Sequence, residues 1–475
     1  MSFAALLREQ FVFDPTPGQA KLFGKLEDYF NDQRQPQPTF LLRGYAGTGK
    51  TSVISTLVHA VYRLDYRAEL MAPTGRAAKV MSQYSGRRAF TIHRRIYRQT
   101  ADPDTGQFTM KVQKNYRQRT LFIVDEASMI ADTPGSGEFD LLTDLIRFVF
   151  ENPSNRLLLV GDTAQLPPVG QELSPALDVR LLRESFNLSL WEHELTEVTR
   201  QADSSGVLFN ATRLREQVAQ EKPKILFRTG GFRDCFRMTG EKLVDGLHYA
   251  YDKYGPEGAV VICRSNKNAA LYNQHIRRAI LTRETEVDAG EYLMIVRNNY
   301  QALGDDDAAG FLANGDFVEV MKVRNEEHLH GFRFATLQLR LPDHPDQTPF
   351  EAKVLLDLLH NDHPSLGHEE YRALYQSVAE DYADLTTKKD LREAMKVDPY
   401  LNALQVKFAY ALTCHKSQGG QWPIVFVDQG YLTEERVDRA YLRWLYTACT
   451  RATQELYLVN FHRRFFEGEV AAPSD

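Results

Sequence analysis

Residues 39–64 read TFLLRGYAGTGKTSVISTLVHAVYRL. The run TFLL (39–42) is apolar without polar alternation, as expected of a strand buried on both faces of a parallel sheet. Gly44-Tyr45-Ala46-Gly47-Thr48-Gly49-Lys50-Thr51 then fits G-x-x-x-x-G-K-[ST], and SVISTLVHAVYRL continues as an apolar helix. A strand, a glycine-rich turn and a helix in this order bring successive backbone N–H groups to a helix N-terminus, where they face phosphate oxygens. Lys50 then reaches the β- and γ-phosphates and the Thr51 hydroxyl ligates Mg²⁺. The stretch predicts Mg²⁺-ATP as ligand, bound by Gly44, Ala46, Gly47, Thr48, Gly49, Lys50 and Thr51.

Working outward, five more short aliphatic runs stand out: LFIV (121–124), RLLLV (156–160), VVIC (260–263), IVFV (424–427) and LYLV (456–459). Several are followed at once by polar residues or glycine: Arg43-Gly44, Asp125-Glu126, Gly161-Asp162 and Arg264-Ser265-Asn266. In open α/β sheets ligands sit at the carboxyl ends of the strands, so the polar chemistry stands where such a fold uses it. Three runs precede residue 200 and three follow residue 255, which predicts two α/β domains of parallel sheets. Two stretches break the rhythm. Residues 94–119 carry the turn signal Asp102-Pro103-Asp104-Thr105-Gly106 between short polar-aromatic runs and predict a β-hairpin. Residues 316–405 open with alternating strands (DFVEVMKV, FRFATLQLRL) and continue into a charged helical stretch over about 350–396, which predicts a small barrel with a helical extension. The expected division is 1–93 plus 120–205, the hairpin 94–119, 206–315 plus 406–475, and the insertion 316–405.

Asp125-Glu126 closes the run LFIV. Asp125 is suited to hold Mg²⁺, directly or through water, and Glu126 to orient and deprotonate an attacking water. Gln165, just beyond Gly161-Asp162, is suited to sense the γ-phosphate or its water. Phosphoryl transfer on such loops is helped by an arginine donated across a cleft. Arg200, ending ELTEVTR, and Arg451, within LYTACTRATQELYLV, stand in fitting contexts.

The 475-residue chain carries a net charge of −6, unevenly spread. Residues 301–400 hold 20 Asp/Glu against 10 Lys/Arg, so the remainder sums to +4. Residues 94–119 hold seven Lys/Arg against two Asp, a local +5 that attracts phosphates and equally suits a solvated surface hairpin. The four cysteines, Cys235, Cys263, Cys414 and Cys449, lie far apart with no C-x-x-C pair. Free thiols in a reducing cytoplasm are expected, with no zinc site. No apolar run reaches the ~18 residues of a membrane span, and MSFAALLREQFVFD lacks the basic-then-apolar pattern of a secretion signal.

In order, TPGQA (16–20), the loop GYAGTGKT, APTGRAAKVM (72–81), TIHR (91–94), FIVDEASM (122–129), VGDTAQLPPVG (160–170), LTEVTRQ (195–201), ANGD (313–316), TCHKSQGGQW (413–422) and LYTACTRA (445–452) resemble the motifs of superfamily 1 helicases. The resemblance is to the RecD-like and phage Dda-like branch and runs from about residue 12 to 462. It implies two RecA-like domains, with the 94–119 hairpin as the pin that splits a duplex and 316–405 as a Src-homology-3-like barrel. It implies an ATP-dependent DNA helicase that translocates 5′ to 3′ on single-stranded DNA and acts at DNA forks. The expected setting is a cytoplasmic monomer with repair or replication proteins as possible partners.

Residue by residue, the resemblance makes Gln19 the adenine reader, Arg200 and Arg451 the arginine fingers, and Lys50, Thr51, Asp125, Glu126 and Gln165 what their chemistry already suggested. Pro73, Thr74, His93, Thr413, His415 and Ser417 match single-strand contacts, and Phe108 a base-stacking aromatic beyond the hairpin turn. For His93, His415 and Phe108 a core-packing role fits the sequence as well. Where many relatives carry Glu after the fifth motif's Q-G, this chain has Gly419-Gly420-Gln421, so Gln421 offers a ribose a hydrogen bond without a charge. An RNA helicase and a non-unwinding ATPase subunit of a recombination or repair complex are the alternative readings.

Overall fold

The structure, a computed structural model, describes the chain except residues 33, 102–107, 132–139, 199–203, 300, 304–311, 343–346, 386, 434–436 and 469–475; at 99–101, 108–110 and 388 it describes the backbone only. The first half contributes β1 (Pro38–Gly44), β2 (Arg67–Ala72), β3 (Ala89–Thr91), β4 (Tyr97–Ala101), β5 (Phe108–Val112), β6 (Thr120–Val124), β7 (Arg156–Gly161) and β8 (Ser189–Leu195). Six of these form one parallel sheet in the order β3-β2-β6-β7-β1-β8. Neighbouring residues of β1 serve opposite cores. Phe40 and Leu42 pack under the helices Phe3–Gln10, Pro17–Asn31 and Lys50–Ala60, while Leu41 packs with Phe122, Leu157 and the helix Leu141–Phe150. Both faces are covered, which is why these strands read as unbroken apolar runs.

β4 and β5 pair antiparallel outside this sheet as the expected hairpin. Its base is fixed from both sides. The Gln113 amide donates to the Ile96 carbonyl at 2.8 Å, and Asn115 Nδ2 to the Phe148 carbonyl at 2.9 Å. The turn at 102–107 and the side chain of Phe108 lie outside the described residues. Not all of the hairpin's positive charge faces solvent. Arg95 and Arg117 pair with Glu69, and Arg119 donates to the Leu64 and Asp65 carbonyls.

The second half contributes β9 (Cys235–Met238), β10 (Ala259–Cys263), β11 (Tyr292–Ile295), β12 (Phe317–Leu329), β13 (Phe332–Arg340), β14 (Phe350–Leu355), β15 (Leu404–Phe408), β16 (Ala411–Thr413), β17 (Trp422–Asp428) and β18 (Ala452–Val459). A parallel sheet runs β16-β10-β17-β18-β9, and β11 to β15 close into a barrel. The helix Gly206–Val218 belongs to this half, with Val207, Ala211, Leu214 and Val218 in the core beside Val260, Ile262 and Leu456. The other face of the sheet shares its core with the barrel: Val261, Ile424 and Phe426 meet Leu293, Val318, Leu337 and Val406.

Two elements differ from the sequence expectation. The barrel draws β11 from before residue 316, because closure needs a strand that pairs with both β12 and β15. Phe350–Leu355 is a strand, not the start of the charged helical stretch: FEAKVL lies along β13, and its last two residues, Val354 and Leu355, are buried. The helical extension consists of His368–Asp381 and Lys388–Val397, packed on the barrel through Leu374, Val378 and Met395. All four cysteines are free and buried. Among the described residues no helix is long and apolar enough to cross a membrane.

Candidate nucleotide site and interdomain seam

The loop between β1 and the helix Lys50–Ala60 turns on Gly47 (φ +76°) and Gly49 (φ +80°), the left-handed region open to glycine. Gly49 caps the helix with no side-chain hydrogen bond, so the first-turn N–H groups keep their capacity for an anion. The Lys50 ammonium lies along the loop, donating to the Gly44 carbonyl at 2.6 Å and the Tyr45 carbonyl at 2.9 Å. Thr51 follows on the exposed side of the helix. Gln19 is 2% exposed and both ends of its carboxamide are engaged. Its Oε1 accepts from the Thr16 amide as half of a capping box, and its Nε2 donates to the Thr48 carbonyl at 3.0 Å. It thereby joins the helix Pro17–Asn31 to the phosphate loop, leaving one N–H and one lone pair for a base.

β6 and β7 deliver the acidic groups. Asp125 Oδ2 accepts from the Tyr84 hydroxyl at 2.7 Å and its Oδ1 from the Glu126 amide at 2.8 Å. Glu126 has φ +53°, a strained conformation for a non-glycine residue that turns the chain sharply at the strand end. Burial raises its pKa, the positive charge of Arg451 works against that rise, and Asp125 adds to it. The Gln165 side chain is 8% exposed, and its Oε1 is buried without a hydrogen-bond partner.

The other side of the site comes from the helix Arg439–Cys449 and the turn after it. Arg451, 4% exposed, is held by its own backbone: Nε donates to the Thr447 carbonyl at 3.0 Å, and Nη1 reaches the Gly420 carbonyl at 3.4 Å. Burial raises the pKa of Glu126 and Asp162 across the cleft, and the charge of Arg451 opposes the rise at both, together with that of Lys50. The sequence reading missed the residue that closes the cleft. Tyr446, 1% exposed, donates its hydroxyl to Asp162 Oδ2 at 2.6 Å and accepts from the Ala46 amide of the phosphate loop at 2.8 Å. Burial pushes this phenol far above its usual pKa, so it stays protonated and able to donate. Tyr446 stands inside the LYTACTRA motif, but an aromatic in an apolar helix reads as core. Tyr84 and Asp162 were missed because their partners, Asp125 and Tyr446, are distant in sequence.

The seam continues along the 161–170 loop. The Leu166 amide donates to Thr447 Oγ1 at 2.8 Å, and its carbonyl accepts from Gln418 Nε2 at 2.7 Å. Next to it, the loop Gly419-Gly420 lies against the N-terminus of the helix Gly75–Ser85. Gly419 has φ +72°, and a Cβ there would come within 2.8 Å of Ala77 Cβ and 2.9 Å of Thr74 Oγ1. Arg76 is sandwiched between Trp422 (3.9 Å) and Phe317 (4.4 Å), and it reaches the Gln421 carbonyl at 3.4 Å. The Gln421 side chain itself is exposed.

The residues matched to strand contacts are divided between the two halves. Pro73 and Thr74 lie at the carboxyl end of β2, where the Thr74 hydroxyl caps the following helix through the Ala77 amide at 3.2 Å. His93 is half-buried, its ring 5.7 Å from that of Tyr97, and burial lowers its pKa. Thr413 ends β16 and His415 follows it, with His415 exposed. Ser417 is fully buried and donates to the Cys414 carbonyl at 2.8 Å, so its hydroxyl faces into the protein. Arg200 lies outside the described residues.

Residues 32–232 match the model of an AAA domain, and residues 408–459 that of a UvrD-like helicase C-terminal domain. The chain is 32% identical over 180 residues to the ATP-dependent RecD2 DNA helicase of Deinococcus radiodurans, covering 37% of this chain and 22% of that one. It therefore spans about a fifth of that relative's length. Over 91% of its length it is 22% identical to protein R530 of Acanthamoeba polyphaga mimivirus, of which it covers 97%. A crystal structure of Pif1 helicase from Bacteroides in complex with ADP-AlF3 and ssDNA aligns with 94% of each chain at 14% identity and a TM-score of 0.46. An AAA domain followed by a UvrD-like helicase C-terminal domain, with a RecD2 helicase among the similar proteins, supports the expected likeness to superfamily 1 helicases of the RecD-like branch.

Proposed function

We propose that this chain is an ATP-dependent DNA helicase that translocates on single-stranded DNA and opens duplex at forks. The observation that carries the reading is the contact of a second-half residue with the phosphate loop, beside a second-half arginine whose charge reaches the acidic strand ends. Tyr446 touches Ala46 directly, and the charge of Arg451 acts on Glu126 and Asp162. In this reading ATP lies between the halves, with Lys50 and the loop amides on its phosphates. Glu126 takes the proton of the attacking water, Gln165 orients that water, and Arg451 stabilises the charge that develops on the transferred phosphoryl group. Arg200 is the second arginine of the proposal.

Mg²⁺ fits the donor set. Asp125 and the Thr51 hydroxyl would hold it, two protein ligands being usual where phosphates and water complete the shell, and it would neutralise charge between the phosphates. Among the described residues no group of three or more His, Cys, Asp or Glu forms a metal cage of its own, which suits an ion shared with the nucleotide.

Coupling to the strand runs through the same seam. Thr74, beside Gly419, and Thr413 and His415, at the end of β16 and just beyond it, stand on opposite halves, so closure on nucleotide changes their spacing and with it the grip on a phosphodiester backbone. The hairpin acts as the pin, with Phe108 stacking on the last base pair, and movement is 5′ to 3′. The deciding experiment is unwinding of duplexes tailed on the 5′ or the 3′ side, with ATPase stimulation by DNA and RNA oligonucleotides measured alongside. The proposal expects opening from the 5′ tail and stimulation by DNA. Opening from the 3′ tail alone overturns the polarity, and hydrolysis without strand separation on any fork overturns the helicase.

A further inference from the structure

The helix Arg439–Cys449 opens, behind its N-cap Asp438, with two cations on one face. Arg439 is its first residue, and Arg443 lies one turn on along the same face. Like charges at this spacing repel, and both stand at the positive end of the helix dipole, where cations are disfavoured. Arg443 is also buried, at 8% exposure. Its Nη1 donates to the Glu172 carbonyl at 2.5 Å, and its Nε has no hydrogen-bond partner. Burial lowers the Arg443 pKa, and the charge of Arg439 lowers it further.

These two arginines line a cavity of about 450 Å³ between the halves, bounded from the first half by Arg43, Tyr45, Thr163 and Ala164. Arg43 and Arg215 line it as well, and Glu172 is the one acid in the described lining. Arg43 is paired with Glu192 at 2.9 Å, and the Arg215 guanidinium lies 4.3 Å from the Tyr45 ring centroid. Arg439 and Arg443 are therefore the charges for which the lining offers no carboxylate beyond exposed Glu172. A guanidinium offers only donors, in a planar fork that matches phosphate oxygens. The cavity has room for a diphosphate-sized group.

We infer that this cavity is a second phosphate-binding site, beside the phosphate loop and sharing Tyr45 with it, in which Arg439 and Arg443 grip a phosphate group from the second half while Arg43 and Arg215 flank it. A ligand there touches both halves and favours their closed arrangement, so its affinity and that of the nucleotide are reciprocally coupled. The group comes either from a small phosphate anion or from the backbone of a nucleic acid.

The test uses the full chain carrying Lys50→Ala to weaken the phosphate-loop site, with and without Arg439→Gln plus Arg443→Gln. Inorganic pyrophosphate binding is measured by calorimetry. Binding of a single-stranded oligonucleotide is measured over a range of salt concentrations. Loss of pyrophosphate affinity by at least ~10-fold in the arginine variant supports the site with a small anion as its source. A salt dependence shallower by ~0.7 per phosphate lost, with pyrophosphate binding unchanged, supports the nucleic-acid backbone as the source. Unchanged behaviour in both arms overturns the inference. If the double variant melts early, exposed Arg439→Gln alone must weaken one of the two ligands by at least ~3-fold, and no effect overturns the inference equally. The pyrophosphate arm needs neither hydrolysis nor unwinding, so it gives its answer even if the chain proves not to be a motor.

Discussion

Lys50 and Arg451 approach one site from residues four hundred positions apart, and single substitutions should separate their roles. Lys50→Ala removes the ammonium that spans the loop, and ATP turnover should fall by ~10²-fold or more in a steady-state assay. In its proposed role of arginine finger, which acts mainly on the transition state, Arg451→Gln should cut turnover by ~10³-fold while nucleotide binding persists. It should also shift a pH profile. Glu126 works as a base only when ionised, burial raises its pKa, and Arg451 opposes that rise. Removing Arg451 therefore moves the acidic limb of the kcat profile to higher pH, and a limb that stays put removes Glu126 from the role of base. Tyr446→Phe keeps the ring but leaves Asp162 and the Ala46 amide each one partner short, at a cost of about 1–3 kcal/mol. The turn and helix start of the phosphate loop were legible because they follow from local spacing. Tyr446, Tyr84 and Asp162 were not, because their partners lie far along the chain.

At the level of elements, legibility followed burial. The six aliphatic runs became β1, β6, β7, β10, β17 and β18, each covered on both faces and so marked by composition alone. β3 (AFT) and β16 (ALT) are three-residue edge strands, too short to leave a pattern. β11 and β15 were obscure for another reason: they close the barrel by pairing with each other across more than a hundred residues. The hairpin β4–β5 was legible from its turn signal, and its proposed use belongs to this scale. Phe108→Ala should slow unwinding of a forked duplex several-fold more than it slows single-strand-stimulated hydrolysis. Equal losses in both assays would exclude a pin.

Across the whole molecule the two parallel sheets are joined by a narrow seam in which polar contacts from the 161–170 loop alternate with the Arg76 sandwich. A ligand that binds both halves stabilises the native state by mass action, so ATP analogues should raise the melting temperature, and the rise should shrink in Tyr446→Phe. The close approach at Gly419 has a practical use. The backbone leaves no room there for even a methyl group, since Ala77 and Thr74 of the opposite half stand within 2.9 Å of where it would lie. Gly419→Ala is thus a doorstop: a single carbon atom that props the two halves ajar without touching a residue proposed for catalysis. Small-angle scattering of that variant should report a larger radius of gyration that nucleotide no longer reduces. Such a protein would hold the engine in neutral and let nucleotide binding to the first half be watched by itself.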